Sequence, residues 1–394
     1  MHRMLACLLT CSLCLLTGCW DRREINDVAF VAATGIDKKK DQFEVTVQIP
    51  LPGKMGGIGN SGGGGGTQGG PWYNETASAG TLREANEKQQ SSMSRQLYFA
   101  HRRVVLLGEE LAKSDIRIVL DVLSRVPQNR LTALPIVVKG KIEEVMGVNA
   151  PMEQFPAEMI REIGQTSTKR PVTLKTLAQY LLLDGQDVIL PYITKAEGSA
   201  GESGGPQSVV RMEGFAVFRG GKLAGFVKDE EAEALLWATG QINNPNVQIP
   251  APAGKGKIVM LFPQTTRKLV PRVRGDEITM SLNIKASGIV VENESNYYLV
   301  AQDNLHLVER QVEAQLKKQI TQTVRKLQHT YKSDVLGFGD SLYRYYPEVW
   351  KGLRGAWNNH YYPKVKVVVD VSVHIEHPGS ILRPMGIPKG MLKQ

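Results

Sequence analysis

Beyond position 19 this chain of 394 residues has no cysteine; Cys7, Cys11, Cys14 and Cys19 are its full complement. Disulfides and cysteine-based metal sites are thereby excluded from its body. Long apolar runs are lacking too: nothing after Cys19 approaches the roughly 20 continuous apolar residues of a membrane span. No carboxylate pair and no phosphate-cradling loop rises above chance. The sequence offers no persuasive catalytic centre and implies no cofactor.

What is present begins at the N-terminus. Arg3 is the only formal charge before Cys19, and from Met4 to Leu16 the chain is apolar or small. A basic start, a short apolar core and small residues at a cut site describe an export signal, spanning residues 1–18. Leu16-Thr17-Gly18-Cys19 matches the bacterial lipobox, in which the cysteine thiol takes a diacylglycerol and becomes the acylated first residue. Cys19 is therefore read as an N-palmitoyl, S-diacylglycerol cysteine. Removing the signal also removes Cys7, Cys11 and Cys14, which leaves no disulfide partner. Two or more acyl chains, at about 0.8 kcal/mol per buried methylene, anchor stably. A chain held to a membrane by its end and otherwise soluble is expected.

Charged residues make up 22% and apolar residues 42%, the balance of a folded body with two or three domains. The net charge of +9 is scattered over the chain. That suits a neighbour of an anionic leaflet better than a nucleic-acid binder, which an exported protein rarely needs to be.

Two composition breaks organise the chain. GKMGGIGNSGGGGGTQGG at 53–70 reads as a flexible insertion, and GSAGESGGPQS at 198–208 as a domain linker. Before the first, strands are expected at Val28–Thr34 and Phe43–Ile49. After it, Thr81 and Glu84 fit a capping box opening a helix to about Met93. A strand at Arg103–Leu107, a helix at Ile116–Val126 and a strand at Leu134–Lys139 follow. Helices are then expected near 142–148, 157–164 and 174–183, with a strand at Val188–Thr194.

Beyond the linker, a hairpin turns at Gly220-Gly221 and Asp229–Thr239 is a helix with acids in its first turn. Strands are expected at 257–262, 265–273 and 277–289. Leu305, Val308, Val312, Leu316, Ile320, Val324, Leu327 and Tyr331 lay one apolar stripe along a helix from about Asn304 to Tyr331. An alternating strand, 364–376, precedes a tail at 378–394. Strands and helices mix without regular alternation, so the fold class is α+β with mixed sheets. The expected division is an N-terminal α/β region at 19–197, a C-terminal α+β domain at 209–377, and the linker between.

Three motifs tempt toward enzymes and fail on context. Gly57 to Gly62 is a literal GxGxxG, but more glycine follows where a dinucleotide site needs a helix. Gly201-Glu-Ser-Gly-Gly-Pro206 satisfies GxSxG, yet Ser203 has a polar linker before it and a strand after it, and His101 sits in no triad signature. On a strand, His374 and Glu376 share a face while His377 points away, so the three form no local metal site.

One patch stands out. Seven of the 26 aromatics fall between Tyr343 and Tyr362, with Arg344, Lys351 and Arg354 among them. Such a segment is either core beneath the long helix or a docking surface for a membrane protein or headgroups. Trp350, Arg354 and Trp357, if on one helix face, are the candidate interface. Gly337 and Gly339 point to positive φ or close backbone approach, with Phe338 pinned into the C-terminal core.

CWDRREINDVAFVAATGID at 19–37, FAHRRVVLLGEELA at 99–112 and DVLGFGDSLYRYYPEVW at 334–350 resemble the Ger(x)C family, the lipoprotein C subunits of nutrient germinant receptors in spore-forming bacteria. The resemblance runs from Cys19 to about Ile375; the glycine insertion at 53–70 is atypical of it. It implies three mixed α/β domains and a non-enzymatic subunit on the outer face of the spore inner membrane. The implied partners are a polytopic A-type subunit and a transporter-like B-type subunit. The competing expectation, a substrate-binding lipoprotein of a transporter, requires two similar lobes with alternating strands and helices, an order this chain does not show.

Overall fold

The computed structural model describes residues 24–54, 70–150, 152–200, 206–300 and 302–379, together with Arg3. In chain order the strands are β1 (Val28–Phe30), β2 (Ala33–Lys39), β3 (Gln42–Pro50), β4 (Trp72–Ala79), β5 (Gln96–Tyr98), β6 (Val104–Gly108), β7 (Leu134–Lys139), β8 (Ile189–Ala200), β9 (Pro206–Arg219), β10 (Lys222–Lys228), β11 (Asn246–Pro250), β12 (Lys257–Arg274), β13 (Glu277–Asn293) and β14 (Lys366–His377). The helices are α1 (Leu82–Ser91), α2 (Glu109–Ser114), α3 (Arg117–Arg125), α4 (Ile142–Met146), α5 (Pro156–Thr166), α6 (Leu174–Leu182), α7 (Asp229–Thr239), α8 (Gln302–Lys326), α9 (Phe338–Tyr345) and α10 (Pro347–Leu353). The class is α+β, as the element order implied.

An eight-stranded sheet runs β10-β9-β8-β7-β6-β2-β3-β4, parallel through β2, β6, β7 and β8 and antiparallel at both flanks. Its centre is covered on both faces, so its strands are continuously apolar. In Val104-Val-Leu-Leu107, Val104 and Leu106 pack toward α4 and α5, while Val105 and Leu107 pack toward α1, α2, α3 and α6. At the N-terminus of α1, the hydroxyl of Thr81 accepts the amide of Glu84 at 3.1 Å, as its capping-box spacing requires.

A second sheet, β11-β12-β13-β14, is antiparallel except for the parallel pair β13–β14, whose crossover carries α8. The expected stripe is the buried face of that helix: Val308, Val312, Leu316, Ile320, Val324 and Leu327 all enter the core. Two of its glutamates, Glu313 and Glu309, accept the edge-strand amides of Val373 (2.9 Å) and Ile375 (2.7 Å). A sheet edge that would otherwise template another strand is thus covered. The helix ends in a single π turn, Leu327–Tyr331, closed by Lys332 at a φ of 48°.

The segment 198–208 is not a linker between separate sheets. Glu197 pairs with Ser208 and Ala200 with Pro206, so the stretch belongs to the β8–β9 hairpin, and β9 and β10 complete the N-terminal sheet. Small polar residues and glycine mark a hairpin end as well as a linker, and their composition alone does not separate the two. Ile189, Phe215, Val217 and Val227 from this flank share one core with Trp237, Phe262 and Phe338 of the C-terminal half. The strands expected at 257–262 and 265–273 are one strand, β12, with a register shift at Leu261/Gln264. The insertion at 53–70 joins the antiparallel neighbours β3 and β4; Leu51 donates to the Pro71 carbonyl at 2.8 Å across its base. Residues 55–69 lie outside the described residues, as do the lipobox and Cys19.

Candidate functional site: a carboxylate knot beneath the aromatic segment

Where the two sheets meet, two buried aspartates tie four chain segments together. Asp187 lies just before β8. Its Oδ1 accepts the amide of Gly220 at 2.7 Å, and its Oδ2 accepts the amide of Asp334 at 2.7 Å and the side-chain amide of Asn358 at 3.0 Å. Asp334 follows the end of α8. Its Oδ1 accepts the Phe338 amide (2.9 Å), and its Oδ2 accepts the Gly339 amide and Trp357 Nε1–H, each at 2.8 Å. Burial pushes the Asp334 carboxyl up to about 7, against the pull of those three N–H donors. Burial raises Asp187 as well, opposed by the amides of Gly220, Asp334 and Asn358.

The glycines serve this knot. Gly337 takes a φ of 74°, which lets the chain turn from Asp334 into α9. Gly339 lies against Gly185, so closely that a Cβ built on it would stand 2.5 Å from the Gly185 Cα and 2.6 Å from the Trp350 ring. Both roles anticipated for the pair, positive φ and close approach, are realised, one at each glycine. Phe338 is fully buried between them. Arg267 on β12 reaches the same corner and donates to the carbonyls of Leu336 (2.7 Å) and Ala238 (3.1 Å).

The aromatic segment divides around this knot. Trp350 and Trp357 meet edge to face with centroids 5.1 Å apart, and they retain 4% and 2% of their surface. They are core, and the expectation that they form a docking face with Arg354 is corrected. The helix assumed for them does not continue: α10 ends at Leu353, a 3₁₀ turn and a π turn follow, and Trp357 rotates inward toward Asp334. An acceptor 23 residues earlier in the chain is invisible to local spacing. Arg354 does lie at the surface, 3.9 Å from Asp184. Tyr343 and Tyr345, 60% and 67% exposed, are the aromatics that face outward.

Of the enzyme-like motifs, the histidine stretch of β14 lies among the described residues. Ser203 and the GxGxxG run lie outside the described residues. On β14, His374 contacts Glu309 at 3.4 Å while Glu376 accepts from the Ser287 hydroxyl at 2.7 Å. Among the described residues no cluster of histidine, cysteine, aspartate and glutamate could hold a metal ion. Sequence reasoning missed Asp187, Asp334 and Arg267. The one available signal was the acid three residues before the Gly337-Phe-Gly339 turn.

The knot therefore joins residues 187, 220, 334 and 357, so its two halves belong to one unit. Two family models match the chain, the first ending within β8 and the second starting within β9: the one described as "Spore germination protein N-terminal domain" over 21–195, and "Spore germination B3/ GerAC like, C-terminal" over 213–379. This chain belongs to the GerAC-like spore germination family. The boundary expected at 198–208 falls between the two matches, although the sheet runs through it. The chain is similar to "Putative spore germination protein YfkR" of Bacillus subtilis (strain 168), at 38% identity over 94% of each chain. It is also similar to "Spore germination protein KC" of the same organism, at 28% identity over 95% of this chain and 96% of that one. The crystal structure of the GerBC protein shares the fold, with a TM-score of 0.53 and 20% identity over 90% of this chain and 100% of the other.

Proposed function

We propose that this chain is the lipid-anchored, non-enzymatic C subunit of a nutrient germinant receptor. It acts in nutrient-triggered spore germination, attached through acylated Cys19 to the outer face of the spore inner membrane. Its partners there are an A-type and a B-type membrane subunit. Family membership across nearly the whole chain behind Cys19 carries the reading. Two further observations support it. Leu16-Thr17-Gly18-Cys19 has the lipobox pattern. No helix among the described residues is long and apolar enough to cross a membrane, so the acyl group is the attachment in view.

The decisive experiment is Cys19→Ala in spores. The variant should leave the membrane fraction in high salt, and germination in response to nutrients should fail. A variant that stays with the membrane and germinates normally would refute the anchor.

A further inference from the structure

At the N-terminal ends of β6 and β7, an open cavity of about 530 Å³ is walled by arginine. Arg102 and Arg103 enter it from the segment before β6, Arg130 from the loop before β7, and Arg161 from α5, with His101 and Gln165 beside them. Carboxylates neutralise only part of this charge. Arg103 and Arg161 share Glu158, at 3.3 and 2.8 Å, and Arg161 also pairs with Glu162. Four guanidiniums against two carboxylates leave a net charge of two positive units at the cavity.

Arg102 is the informative member. The residue retains 6% exposure, its guanidinium lies 4.9 Å from the Phe99 ring centroid, and its Nε is buried with no hydrogen-bond partner. No carboxylate among the described residues offsets it, and burial pushes its pKa down to about 10. A guanidinium carries its donors in a fixed fork that matches phosphate and carboxylate oxygens. Holding one buried and unpaired in an empty fold is unfavourable, and an anion seated against it removes that cost. A second cavity, of about 310 Å³, shares His101 and Arg103 as a wall and is lined by Phe30, Val31, Ala32 and Phe155. The pair of cavities offers cationic donors on one side and apolar surface on the other.

We propose that this arginine cavity binds a phosphate group, with Arg102 and Arg130 as its main contacts. The group comes either from a soluble phosphate compound or from the headgroup of an anionic phospholipid. The inference does not depend on the receptor reading, because it rests on the cavity alone.

The test uses the full chain carrying Cys19→Ala, so that no acyl group contributes. In the first arm, inorganic phosphate and glycerol 3-phosphate are titrated and binding and melting temperature are followed. In the second, sedimentation with phosphatidylglycerol vesicles is compared with phosphatidylcholine vesicles, which report apolar attachment only. Arg102→Met, Arg130→Ala and, as a control for charge removed elsewhere, the exposed Arg272→Ala are measured in both arms.

Phosphate should raise the melting temperature of the parent by mass action. Arg102→Met should raise the melting temperature without phosphate and abolish the response to it, a combination that a purely structural arginine would not give. Arg130→Ala, at an exposed position, should weaken binding about tenfold, near 1.4 kcal/mol, without changing the fold. Arg272→Ala should do neither. Arginine-dependent binding confined to the first arm assigns a soluble ligand, and confined to the second, a lipid headgroup. Absence of binding in both arms, or binding indifferent to Arg102 and Arg130, overturns the proposal.

Discussion

The indole Nε1 of Trp357 donates to Asp334 Oδ2 at 2.8 Å, a buried bond between residues 23 positions apart that fixes the end of the aromatic segment beneath α8. Trp357→Phe keeps most of the ring and removes only this donor. Above about pH 7, where the carboxyl is ionised, one hydrogen bond to a charged group is then lost, a cost of about 1.5–3 kcal/mol. Trp357→Ala also opens a cavity and should cost about 3–5 kcal/mol. Thermal unfolding of the two variants measures the difference. No loss for Trp357→Phe would mean that the indole N–H contributes nothing.

Asp334 also gives the protein a pH signature. Its carboxyl is raised from 3.8 to about 7 in the fold, so between those values the folded state holds a proton that the unfolded chain releases. Stability from this group is therefore full below about 4 and is lost as pH rises through about 7. Asp334→Asn removes the titration and sets an NH₂ group against one of the three N–H donors, so it should destabilise at every pH. The stability gap between parent and variant should narrow from pH 5 to pH 8 in paired denaturant titrations. A gap that stays constant over that range would mean that the carboxyl is not raised.

Phe338 has no exposed surface, and its ring lies 5.7 Å from that of Tyr362. Phe338→Ala should cost about 3–5 kcal/mol, since backbone held by Asp334 on either side cannot collapse into the space. A loss under 1 kcal/mol by chemical denaturation would show that the corner relaxes freely.

Two glycines thirteen positions apart on the same segment separate conformation from contact. A methyl at Gly339 meets backbone at 2.5 Å, whereas one at Gly352 in α10 meets nothing within 4 Å. Gly339→Ala should therefore lower the melting temperature sharply. Gly352→Ala should leave it unchanged or raise it, because alanine favours a helix interior by about 0.5–1 kcal/mol. A harmless Gly339→Ala would show that Gly185 can move aside.

How far the sequence revealed this arrangement depended on the range of the interaction involved. The α8 stripe, the Thr81 cap, the Gly220-Gly221 turn and strand β7 rest on periodicity or on neighbours within a few residues, and all lie where their patterns put them. β4 was not anticipated because Trp72-Tyr-Asn-Glu-Thr-Ala-Ser-Ala79 is an edge strand with little apolar alternation. The β8–β9 hairpin reads as a linker in sequence, since pairing across the segment leaves no trace in its composition. The aromatic segment was recognised as important, but which of its rings face inward depends on Asp187 and Asp334. Their burial is set by contacts 147 residues apart, beyond the reach of any local pattern.

With the tryptophans assigned to the core, the proposed receptor role leaves the outward members of the same segment for contact with a partner. Tyr343, Tyr345 and Arg354 are exposed, and the Arg354–Asp184 pair, at 3.9 Å between groups 60% and 68% exposed, contributes little to stability. Exposed tyrosine and arginine are the residue types that carry binding energy at interfaces. Tyr345→Ser combined with Arg354→Ala should leave the melting temperature of the purified chain unchanged. The same pair should reduce recovery of the A-type and B-type subunits when this chain is pulled from solubilised spore membranes. Undiminished recovery would move the contact elsewhere on the surface. A falling melting temperature would instead return these side chains to the fold, as the bond to Asp334 has done for Trp357.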